Sequence, residues 1–456
     1  MIKTERHIPY LLLLLDVAVS VLVFNVIYHY WGLAGDLLWL ALFWPILALV
    51  TAIYLIDGYR LRTDMMSLDY ASQHTIAILS AMLATLLFTF VVIKGGYQLQ
   101  SSRGVIALSF VALFPLTLGY RRMIYQRSLA RKSDRAFVFL GDRPSCFAFR
   151  AECKRMGTQQ PVVFAVVSEA SFSPFPSEED VRLRVFSDVL AEIQSGKLTV
   201  EAIILRETSR ELPSDVAQQL VHLYFGGVPT YTLELFHQIH WGKIPLYRLN
   251  QTWLFQEGFK IAREPVFERL KRISDIILAS VGLLLSAPVL AIAAVAIWLE
   301  DRGDIFFRQT RVGLNHAPFQ IVKLRTMHAA PAGERYTRVG DPRITRAGRF
   351  LRATRIDEFP QLWNVLHGEM SLIGPRAEWS QLVDDYEREI PCYYFRHLVK
   401  PGITGWAQVN YPYGANLDDT LRKLEYDLYY IRHFSFLLDA SIVLKTVHVI
   451  LFGRGR

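Results

Sequence analysis

Cysteine is scarce in this sequence, with Cys146, Cys153 and Cys392 the three examples in 456 residues. So few cysteines exclude a disulfide framework, and their spacing matches no zinc site, which predicts a soluble part that faces a reducing cytosol. A cleavable signal peptide is not expected, because the first apolar run is too long and has no small-residue cleavage site. A hydrophobic content of 52% excludes a disordered or collagen-like chain.

Long apolar runs, by contrast, dominate the start of the chain. They lack the polar face of a buried helix in a soluble domain, and Asp16 is the only formal charge inside them. We therefore predict a bundle of four transmembrane helices, in which Asp16 pairs with a neighbouring helix or lies near the interface rather than serving in function. Each run approaches the roughly 20 residues that a spanning helix needs. The runs are Ile8–Tyr28, Leu37–Ile56, Thr75–Ile93 and Gly104–Tyr120.

Basic residues lie unevenly around these runs. In a four-span arrangement Lys94 and Arg103 fall on one side. Cytoplasmic loops carry the excess of Lys and Arg, so both ends of this region are predicted to be cytoplasmic. The opposite side carries Lys3, Arg6, Arg60, Arg62, Arg121, Arg122, Arg127, Arg131, Lys132 and Arg135.

Short apolar runs alternate with helix-like stretches over residues 136–260. A dinucleotide site would need G-x-G-x-x-G after the first strand, and only Gly141 is present there, so we predict a regulatory or assembly role without bound NAD. The acidic segment Ser171–Asp180 is expected to form an exposed loop. The alternation predicts a Rossmann-like α/β domain with a parallel sheet, from runs that begin at Phe137, Val162 and Val200 and a helix over Ser214–Phe225.

A fifth apolar segment, residues 273–299, has Asp275 near its start and Pro288 at its centre. Basic residues flank it on both sides, which opposes a crossing, and a proline inside a helix removes a backbone hydrogen bond and bends the helix. We predict a re-entrant helix that breaks near Ser286 and Pro288 and returns to the side from which it entered. A plain fifth span is the alternative, and it would place everything after residue 300 away from cytosolic nucleotides.

The segment that follows is strongly basic. Between Arg302 and Arg355, twelve Lys or Arg and three acids give a net charge of +9. A field of that sign beside a membrane suits phosphates, nucleotides or anionic lipid headgroups. Nucleic acid is the competing partner, and the lack of a recognisable nucleic-acid module argues against it.

A carboxylate pair, Asp357 and Glu358, then precedes an amphipathic helical pattern that contains Trp363. In one interpretation Asp357 is only the N-cap of that helix. In the other, a carboxylate beside Arg352 and Arg355 at a helix N-terminus stays ionised and attacks phosphorus, as in aspartyl-phosphate enzymes. Glu358 would then hold Mg²⁺, which prefers carboxylate and phosphate oxygens.

Several motifs make the C-terminal region recognisable. They are KRISDIILA (271–279), FFRQTRVG (306–313), VKLRTM (322–327), the Asp-Glu block (355–378) and KPGITGWAQVN (400–410). With them, residues 267–456 resemble the bacterial sugar transferase family, the monotopic phosphoglycosyl transferases. The whole chain resembles the large members, undecaprenyl-phosphate hexose-1-phosphate transferases that start exopolysaccharide or O-antigen repeat units. We therefore predict a four-span domain (1–135), an α/β domain (136–260) and a catalytic domain (261–456).

The resemblance implies a two-step reaction. Asp357 matches the family nucleophile, which attacks the β-phosphate of a UDP-sugar and releases UMP, after which polyprenyl phosphate takes the phosphosugar from the aspartate. Glu358 matches its partner acid, and the pair is implied to bind the cofactor Mg²⁺. Arg352 matches a phosphate-binding arginine. The other implied substrate-binding residues are Lys323, Arg325, Arg376, Thr404 and Gln408.

The departures from the family pattern are mild. The helix break reads Ser286-Ala287-Pro288 rather than Ser-Pro, Ala377 ends the GPRP motif, and Lys400 replaces the arginine of RPGITGW. The implied partners are a UDP-hexose, undecaprenyl phosphate, the bilayer and a second copy of the chain. The implied location is the bacterial inner membrane, with the catalytic domain on its cytoplasmic face. The apolar run Phe434–Phe452 is expected to lie on the membrane surface or to pack under this domain.

Two other functions were weighed against the sequence. An assembly protein with an inactive enzyme domain is disfavoured by the intact pair Asp357 and Glu358. An NAD-dependent sugar-nucleotide epimerase or dehydratase is disfavoured by the missing glycine fingerprint of the middle domain.

Overall fold

In a computed structural model, the chain forms two compact units, Met1–Gly242 and Lys243–Arg456. The expected loop at Ser171–Asp180 and the predicted boundary at residue 260 lie outside the described residues, and the three-domain division stays a prediction. The structure describes residues 7–452 with gaps at 32–36, 61, 62, 64, 94, 96, 133, 134, 159, 168–181, 207–212, 247–264, 329–340, 412, 413 and 415.

The first unit opens with four apolar helices, as predicted. Three stretches are long and apolar enough to cross a membrane: Ile8–Tyr30, Asp69–Val92 and Arg103–Ser128. The helices are α1 (Ile8–Tyr30), α2 (Phe43–Leu55), α3 (Leu68–Leu87) and α4 (Arg103–Lys132), with 3₁₀ turns at Leu40–Leu42 and Gln98–Ser101 and a π turn at Phe88–Val92.

The second predicted span is shorter than expected. The apolar helix Leu40–Leu55 reaches roughly 24 Å at 1.5 Å per residue, less than the hydrocarbon core of about 30 Å. Pro45 lies in the first turn of α2, where its missing amide donor costs no intrahelical hydrogen bond. The prediction of a full-length helix over Leu37–Ile56 is therefore wrong in its length.

Asp16 is fully buried and makes an ion pair with Arg121, which is also fully buried, at 2.5 Å. The hydroxyl of Tyr59 donates to the same carboxylate at 2.5 Å, and Tyr120 donates to its other oxygen. Removal of one member of such a pair strands a charge in a medium of low dielectric constant. The prediction that a neighbouring helix satisfies Asp16 is confirmed, and Arg121 is a member of this pair rather than a loop cation.

The rest of the first unit is an α/β domain. Its five strands pair in parallel in the order β3-β2-β1-β4-β5, the doubly wound order, which confirms the predicted parallel sheet. The sequence pattern missed β3 and β5, which have only three residues each. The elements are β1 (Arg135–Leu140), α5 (Arg143–Arg155), β2 (Val162–Val166), β3 (Leu183–Val185), α6 (Phe186–Gln194), β4 (Thr199–Leu205), α7 (Ser214–Phe225), β5 (Thr230–Thr232) and α8 (Leu233–Phe236), with a π turn at His237–Trp241.

An acidic side chain occupies the turn after β1. Asp142 caps α5 by accepting a hydrogen bond from the Ser145 amide at 3.2 Å, and it pairs with Arg206. In dinucleotide-binding domains a pyrophosphate binds at this helix N-terminus, where negative charge is favoured. Here the protein supplies that negative charge itself.

The second unit combines one long apolar helix with a small mixed domain. Strands β6 and β7 form an antiparallel hairpin, and β8 and β9 form a short parallel pair. The elements are α9 (Pro265–Asp301), β6 (Phe306–Val312), β7 (Pro318–Leu324), α10 (Arg346–Thr354), α11 (Gln361–His367), β8 (Ser371–Ile373), α12 (Ser380–Glu389), β9 (Gly402–Thr404), α13 (Trp406–Asn410), α14 (Leu417–Arg432) and α15 (Phe436–Phe452), with 3₁₀ turns at Leu314–His316, Ile356–Glu358 and Tyr393–Leu398.

Helix α9 runs without interruption through Pro288. The prediction of a helix that stops there is therefore wrong at the level of secondary structure. A proline removes only its own amide from the hydrogen-bond ladder, so the turns on either side can remain helical. The Ser286 hydroxyl donates to the Leu283 carbonyl at 3.3 Å, within the same helix. Between the ends of α9, large apolar side chains are strongly exposed, including Leu284 (75%), Leu285 (71%) and Ile292 (71%).

The beginning of α9 is bound to the small domain by polar contacts. Arg272 donates to the Leu366 carbonyl at 2.6 Å and to the Val365 carbonyl. Asp275, which is buried, accepts from the Ser371 hydroxyl at 3.1 Å and from the Leu372 amide at 3.0 Å.

The end of α9 is bound to the same domain. Glu300 accepts hydrogen bonds from the backbone amides of Arg346 at 2.6 Å and Ala347 at 3.0 Å, at the start of α10. Asp301 makes a bidentate ion pair with Arg325, with one contact at 2.6 Å. Both ends of this apolar helix therefore contact one folded domain.

The predicted C-terminal apolar run forms α15, which packs into the second unit. Ile442 of this helix is fully buried in the core around α14, next to Leu428 and Ile431. Asp439 of α15 pairs with Lys271 of α9 at 2.5 Å. Of the two predicted positions, packing against the catalytic region is therefore the one observed.

Candidate active site

The carboxylate pair lies on the 3₁₀ turn between α10 and α11. Arg355, which ends α10, has a φ of 59°, a left-handed conformation that is uncommon for a residue with a side chain and is characteristic of functional sites. The turn buries Asp357, which is 8% exposed. Asp357 makes no capping hydrogen bond, and α11 begins only at Gln361. The interpretation of Asp357 as a helix cap is therefore wrong.

Glu358 is surrounded by positive charge. Its Oε1 lies 3.2 Å from Lys323 Nζ and 3.6 Å from both Arg355 Nη1 and Arg376 Nη2. Burial alone would raise the pKa of Glu358, but these three cations lower it to about 2. Glu358 is therefore an anion at physiological pH. It pairs with Lys323 of β7, Arg355 at the turn and Arg376 after β8.

Asp357 is in a different electrostatic environment. Burial and the charge of Glu358 raise its pKa above the ordinary value, although Lys323, Arg352 and Arg355 oppose the shift. Its Oδ1 is buried and has no hydrogen-bond partner among the described residues. The cations are visible in the sequence, whereas the burial of Asp357 is seen only in the structure. The pair thus combines Glu358, which stays ionised, with a buried oxygen of Asp357 that has no hydrogen-bond partner among the described residues.

One buried side chain fixes the pair relative to Lys323. Asn364 of α11, only 2% exposed, accepts from the Val322 amide at 3.1 Å and donates to the Gln320 carbonyl at 2.7 Å. It also donates to Glu369 at 2.7 Å. These bonds join α11 to the strand that carries Lys323, so the cation and the carboxylates keep a fixed separation.

Glycines in two motifs, the one that starts at Gly374 and KPGITGWAQVN (400–410), allow the close backbone approach that brings Arg376 to the site. A Cβ on Gly374 would meet the Lys400 carbonyl, and a Cβ on Gly402 or Gly405 would meet the backbone of Gly374. Only glycine permits this close approach of two backbones. Strand β9 thereby pairs with the segment after β8, where Arg376 bridges to Gly402.

The structure brings some of the predicted substrate-binding residues to the pair and not others. Lys323 and Arg376 contact Glu358. Arg352 lowers the pKa of Asp357 by its charge. The Nη2 atom of Arg352 lies 3.4 Å from Met327 Sδ. Arg325 is bound to Asp301 at the end of α9. Thr404 bonds to Thr446 at 2.7 Å, and Gln408 donates to the Ile403 carbonyl at 3.0 Å. Substrate contacts of these last three stay predictions.

A small pocket beside the pair adds residues that the sequence argument did not assign. Gln361 is 3% exposed, and its Nε2 has no hydrogen-bond partner among the described residues. It follows Asp357 by four residues, a spacing that could have indicated the shared location. Arg311, one of the basic residues of the segment 302–355, also lines the pocket. The pocket is lined by Arg311, Ile321, Lys323, Gln361, Met370, Arg376, Ala377 and Gly402.

The donor set allows a test of the implied Mg²⁺. In proteins Mg²⁺ is usually held by one or two carboxylates together with substrate phosphates. The buried, unengaged Oδ1 of Asp357 fits this role, whereas Oε1 of Glu358 is already matched by three cations. The residues therefore fit a metal shared between Asp357 and a substrate phosphate better than one held equally by both acids.

A basic pocket beside a carboxylate pair, on a domain bound to a long apolar helix, is the kind of site expected of an enzyme that handles phosphates. A family model described as bacterial sugar transferase matches residues 266–453. The UDP-glucose:undecaprenyl-phosphate glucose-1-phosphate transferase of Caulobacter vibrioides is 47% identical over 181 residues, which cover 39% of this chain and 68% of that protein. The chain belongs to the bacterial sugar transferase family.

Two further relatives extend the comparison. The UDP-N-acetylgalactosamine-undecaprenyl-phosphate N-acetylgalactosaminephosphotransferase of Aeromonas hydrophila is 38% identical over 262 residues, 57% of this chain and 61% of that protein. The exopolysaccharide production protein PSS of Rhizobium leguminosarum bv. phaseoli is 39% identical over 187 residues, 39% of this chain and 93% of that protein. The chain thus spans a little under two thirds of the Aeromonas protein and nearly all of the Rhizobium one.

Proposed function

We propose that this chain transfers a hexose-1-phosphate from a UDP-sugar to undecaprenyl phosphate and so starts a polysaccharide repeat unit. The observation that carries the proposal is the pair Asp357 and Glu358, with three cations around Glu358. The names of the Aeromonas and Caulobacter relatives supply the two substrates, and the Rhizobium relative supplies the link to exopolysaccharide.

In the first step a carboxylate oxygen of Asp357 attacks the β-phosphorus of the UDP-sugar. The bond from that phosphorus to the bridging oxygen breaks, UMP leaves with the electron pair, and the phosphosugar remains on Asp357. Lys323 and Arg376, held beside Glu358, stabilise the negative charge on the phosphate oxygens. Burial of Asp357 keeps water from its carboxylate, which favours attack on phosphorus over solvation.

In the second step a phosphate oxygen of undecaprenyl phosphate attacks the same phosphorus. The bond to Asp357 breaks, which restores the carboxylate and yields undecaprenyl-diphospho-hexose. A Mg²⁺ held by Asp357 and substrate phosphate would supply charge neutralisation. The exposed apolar side chains of α9 offer the lipid chain a continuous path to this domain.

The contacts at the two ends of α9 support the proposed location. Arg272 and Asp275 near one end, and Glu300 and Asp301 at the other, bond to the same domain. A straight crossing would separate these ends by the thickness of a bilayer. We therefore propose that α9 enters and leaves on one face of the bacterial inner membrane, with the catalytic domain in the cytoplasm, where UDP-sugars are found.

The test is release of UMP by the purified full chain in detergent, with undecaprenyl phosphate and a panel of UDP-sugars. We expect one sugar to give UMP and a lipid-linked product in equal amounts, and Asp357→Asn to give neither. A protein that is folded but releases UMP with no member of the panel would overturn the proposal. The control variant Asp384→Asn changes an exposed carboxylate on α12 and should leave turnover unchanged.

A further inference from the structure

A second cluster of ligand-type side chains lies at the tip of the β6–β7 hairpin. It consists of His316 on the turn between the strands, Glu387 on α12 and His397 on the 3₁₀ turn Tyr393–Leu398. One ligand atom from each side chain lies within 4.8 Å of the other two. Glu387 Oε1 is 2.5 Å from His316 Nε2 and 4.0 Å from His397 Nε2. Three separate elements thus converge on one point.

His397 points into this cluster without a hydrogen bond. Its residue is 5% exposed, and its Nε2 has no hydrogen-bond partner among the described residues. A buried polar atom that is left unsatisfied costs free energy, so its presence calls for a ligand.

We propose that His316, Glu387 and His397 bind a divalent transition-metal ion of the zinc class. Two imidazoles and one carboxylate form a three-ligand set that leaves a fourth position for water. Imidazole ligands favour zinc-like ions over Mg²⁺, so this site and the carboxylate pair would select different metals. His316 and Glu387 side chains are 44% and 31% exposed, which gives the ion a route from solvent.

The geometry needs only small side-chain movements. With bonds of about 2.0 to 2.1 Å, ligand atoms on a tetrahedral ion stand about 3.3 Å apart. The contact between His316 and Glu387 would lengthen from 2.5 Å, and the contact between Glu387 and His397 would shorten from 4.0 Å. The separation of up to 4.8 Å within the cluster would also shorten, and the exposed His316 and Glu387 have room for these movements.

A bound ion would connect the cluster to the active site through Arg396. This neighbour of His397 donates to the Arg376 carbonyl at 2.9 Å and pairs with Asp427 at 3.0 Å, deep in the domain. An ion on His397 would fix the turn that carries Arg396 and thereby hold Arg376 beside Glu358. The role is structural, so metal binding does not depend on catalysis.

The test uses the full chain in detergent, purified without a histidine tag, stripped of metal and titrated with Co²⁺. Tetrahedral Co²⁺ with imidazole ligands shows a visible d–d absorption, and Zn²⁺ should displace it. We expect one equivalent to bind, and His316→Asn or Glu387→Gln to weaken binding at least 30-fold. Asparagine suits position 316, because it tolerates the φ of 63° found there.

Two controls make the outcome decisive. His222→Asn removes an exposed histidine outside the cluster and should leave Co²⁺ binding unchanged. Asp357→Asn should also leave it unchanged, which separates this ion from any metal at the carboxylate pair. Absence of the absorption in the unaltered protein, or equal binding by the His316→Asn and His222→Asn variants, would overturn the proposal.

Discussion

At the scale of single residues, the two adjacent acids have opposite electrostatics. Cations lower the pKa of Glu358 to about 2, whereas burial raises that of Asp357. Sequence alone could predict that the pair lies among cations, because Arg352 and Arg355 are close in the chain. It could not predict the burial of Asp357, since this depends on the left-handed turn at Arg355.

Asp357→Asn should therefore abolish turnover and also stabilise the protein. Because the folded-state pKa of Asp357 is raised, its stabilising contribution is present below about pH 4 and is lost as the pH rises through the folded value. Removing this cost at pH 7 should raise the free energy of unfolding. Activity should fall on the order of 10³-fold or more, since the amide cannot form the covalent intermediate. Thermal unfolding at pH 7 and UMP release measure the two effects.

Glu358→Gln is the matched variant and should have the opposite effect on stability. The lowered pKa of Glu358 means that its contribution is present above about pH 4.5 and is lost as the pH falls through about 2. Removing the partner of three cations should cost about 3 kcal/mol at pH 7. Equal melting temperatures for the two variants would contradict this division of roles.

Among elements, the contact between α11 and β7 sets the active-site geometry. Asn364→Leu keeps the approximate volume but removes three hydrogen bonds, so it should cost about 3 kcal/mol of stability. Because Lys323 would lose its fixed position, we expect kcat to fall more than KM rises. Thermal unfolding and steady-state kinetics measure these effects. The control is Asn410→Leu, which changes a partly buried asparagine on α13. An equal loss of kcat in both variants would contradict the role of Asn364 in positioning Lys323.

Helix α9 is the element for which sequence reasoning was half correct. The apolar length and basic flanks identified the segment, but Pro288 does not interrupt the helix. The polar contacts at its two ends involve residues far along the chain, such as Ser371 and Arg346, which no local pattern reveals. Short strands such as β3 and β5 escaped detection because three residues carry too little periodicity.

The topology of α9 can be tested by cysteine labelling in intact cells, in a background without the native cysteines. Cysteines placed at Pro265 and Thr310 should both be protected from a reagent that cannot cross the membrane, because both flanks of α9 face the cytoplasm. Pro288→Leu restores the missing backbone donor and should favour a true crossing, which would expose position 310.

The labelling experiment has an internal reference. Lys94 is predicted to lie on the outer side of the four-span region, so Lys94→Cys should react readily. Strong labelling of position 310 in protein that retains Pro288 would contradict both the re-entrant arrangement and the cytoplasmic active site.

For the whole molecule, the second compact unit begins at Lys243, whereas the predicted catalytic domain begins at residue 261, outside the described residues. Lys243 lies within residues 136–260, the segment that the sequence pattern assigned to the α/β domain. Lys243 makes a buried ion pair with Glu425 at 3.1 Å, and the Ile244 amide donates to the Glu425 carbonyl at 3.0 Å. Ile244 and Leu246 are buried in the core with α14. Composition could not reveal this, because the partner lies more than 170 residues away in the chain.

Two truncations distinguish these boundaries. Removing residues 1–242 should leave a membrane-bound protein with at least partial UMP release, because α9, the basic pocket and the carboxylate pair all remain.

Removing residues 1–260 also takes away Lys243, Ile244 and Leu246. This loss leaves the buried Glu425 without its ion-pair partner and should cost about 3 kcal/mol more. Thermal unfolding in detergent should therefore show a clearly lower midpoint for the shorter protein. Equal midpoints would show that Lys243 does not stabilise the unit, and a well-folded 243–456 fragment without any activity would show that the first unit contributes to the active site.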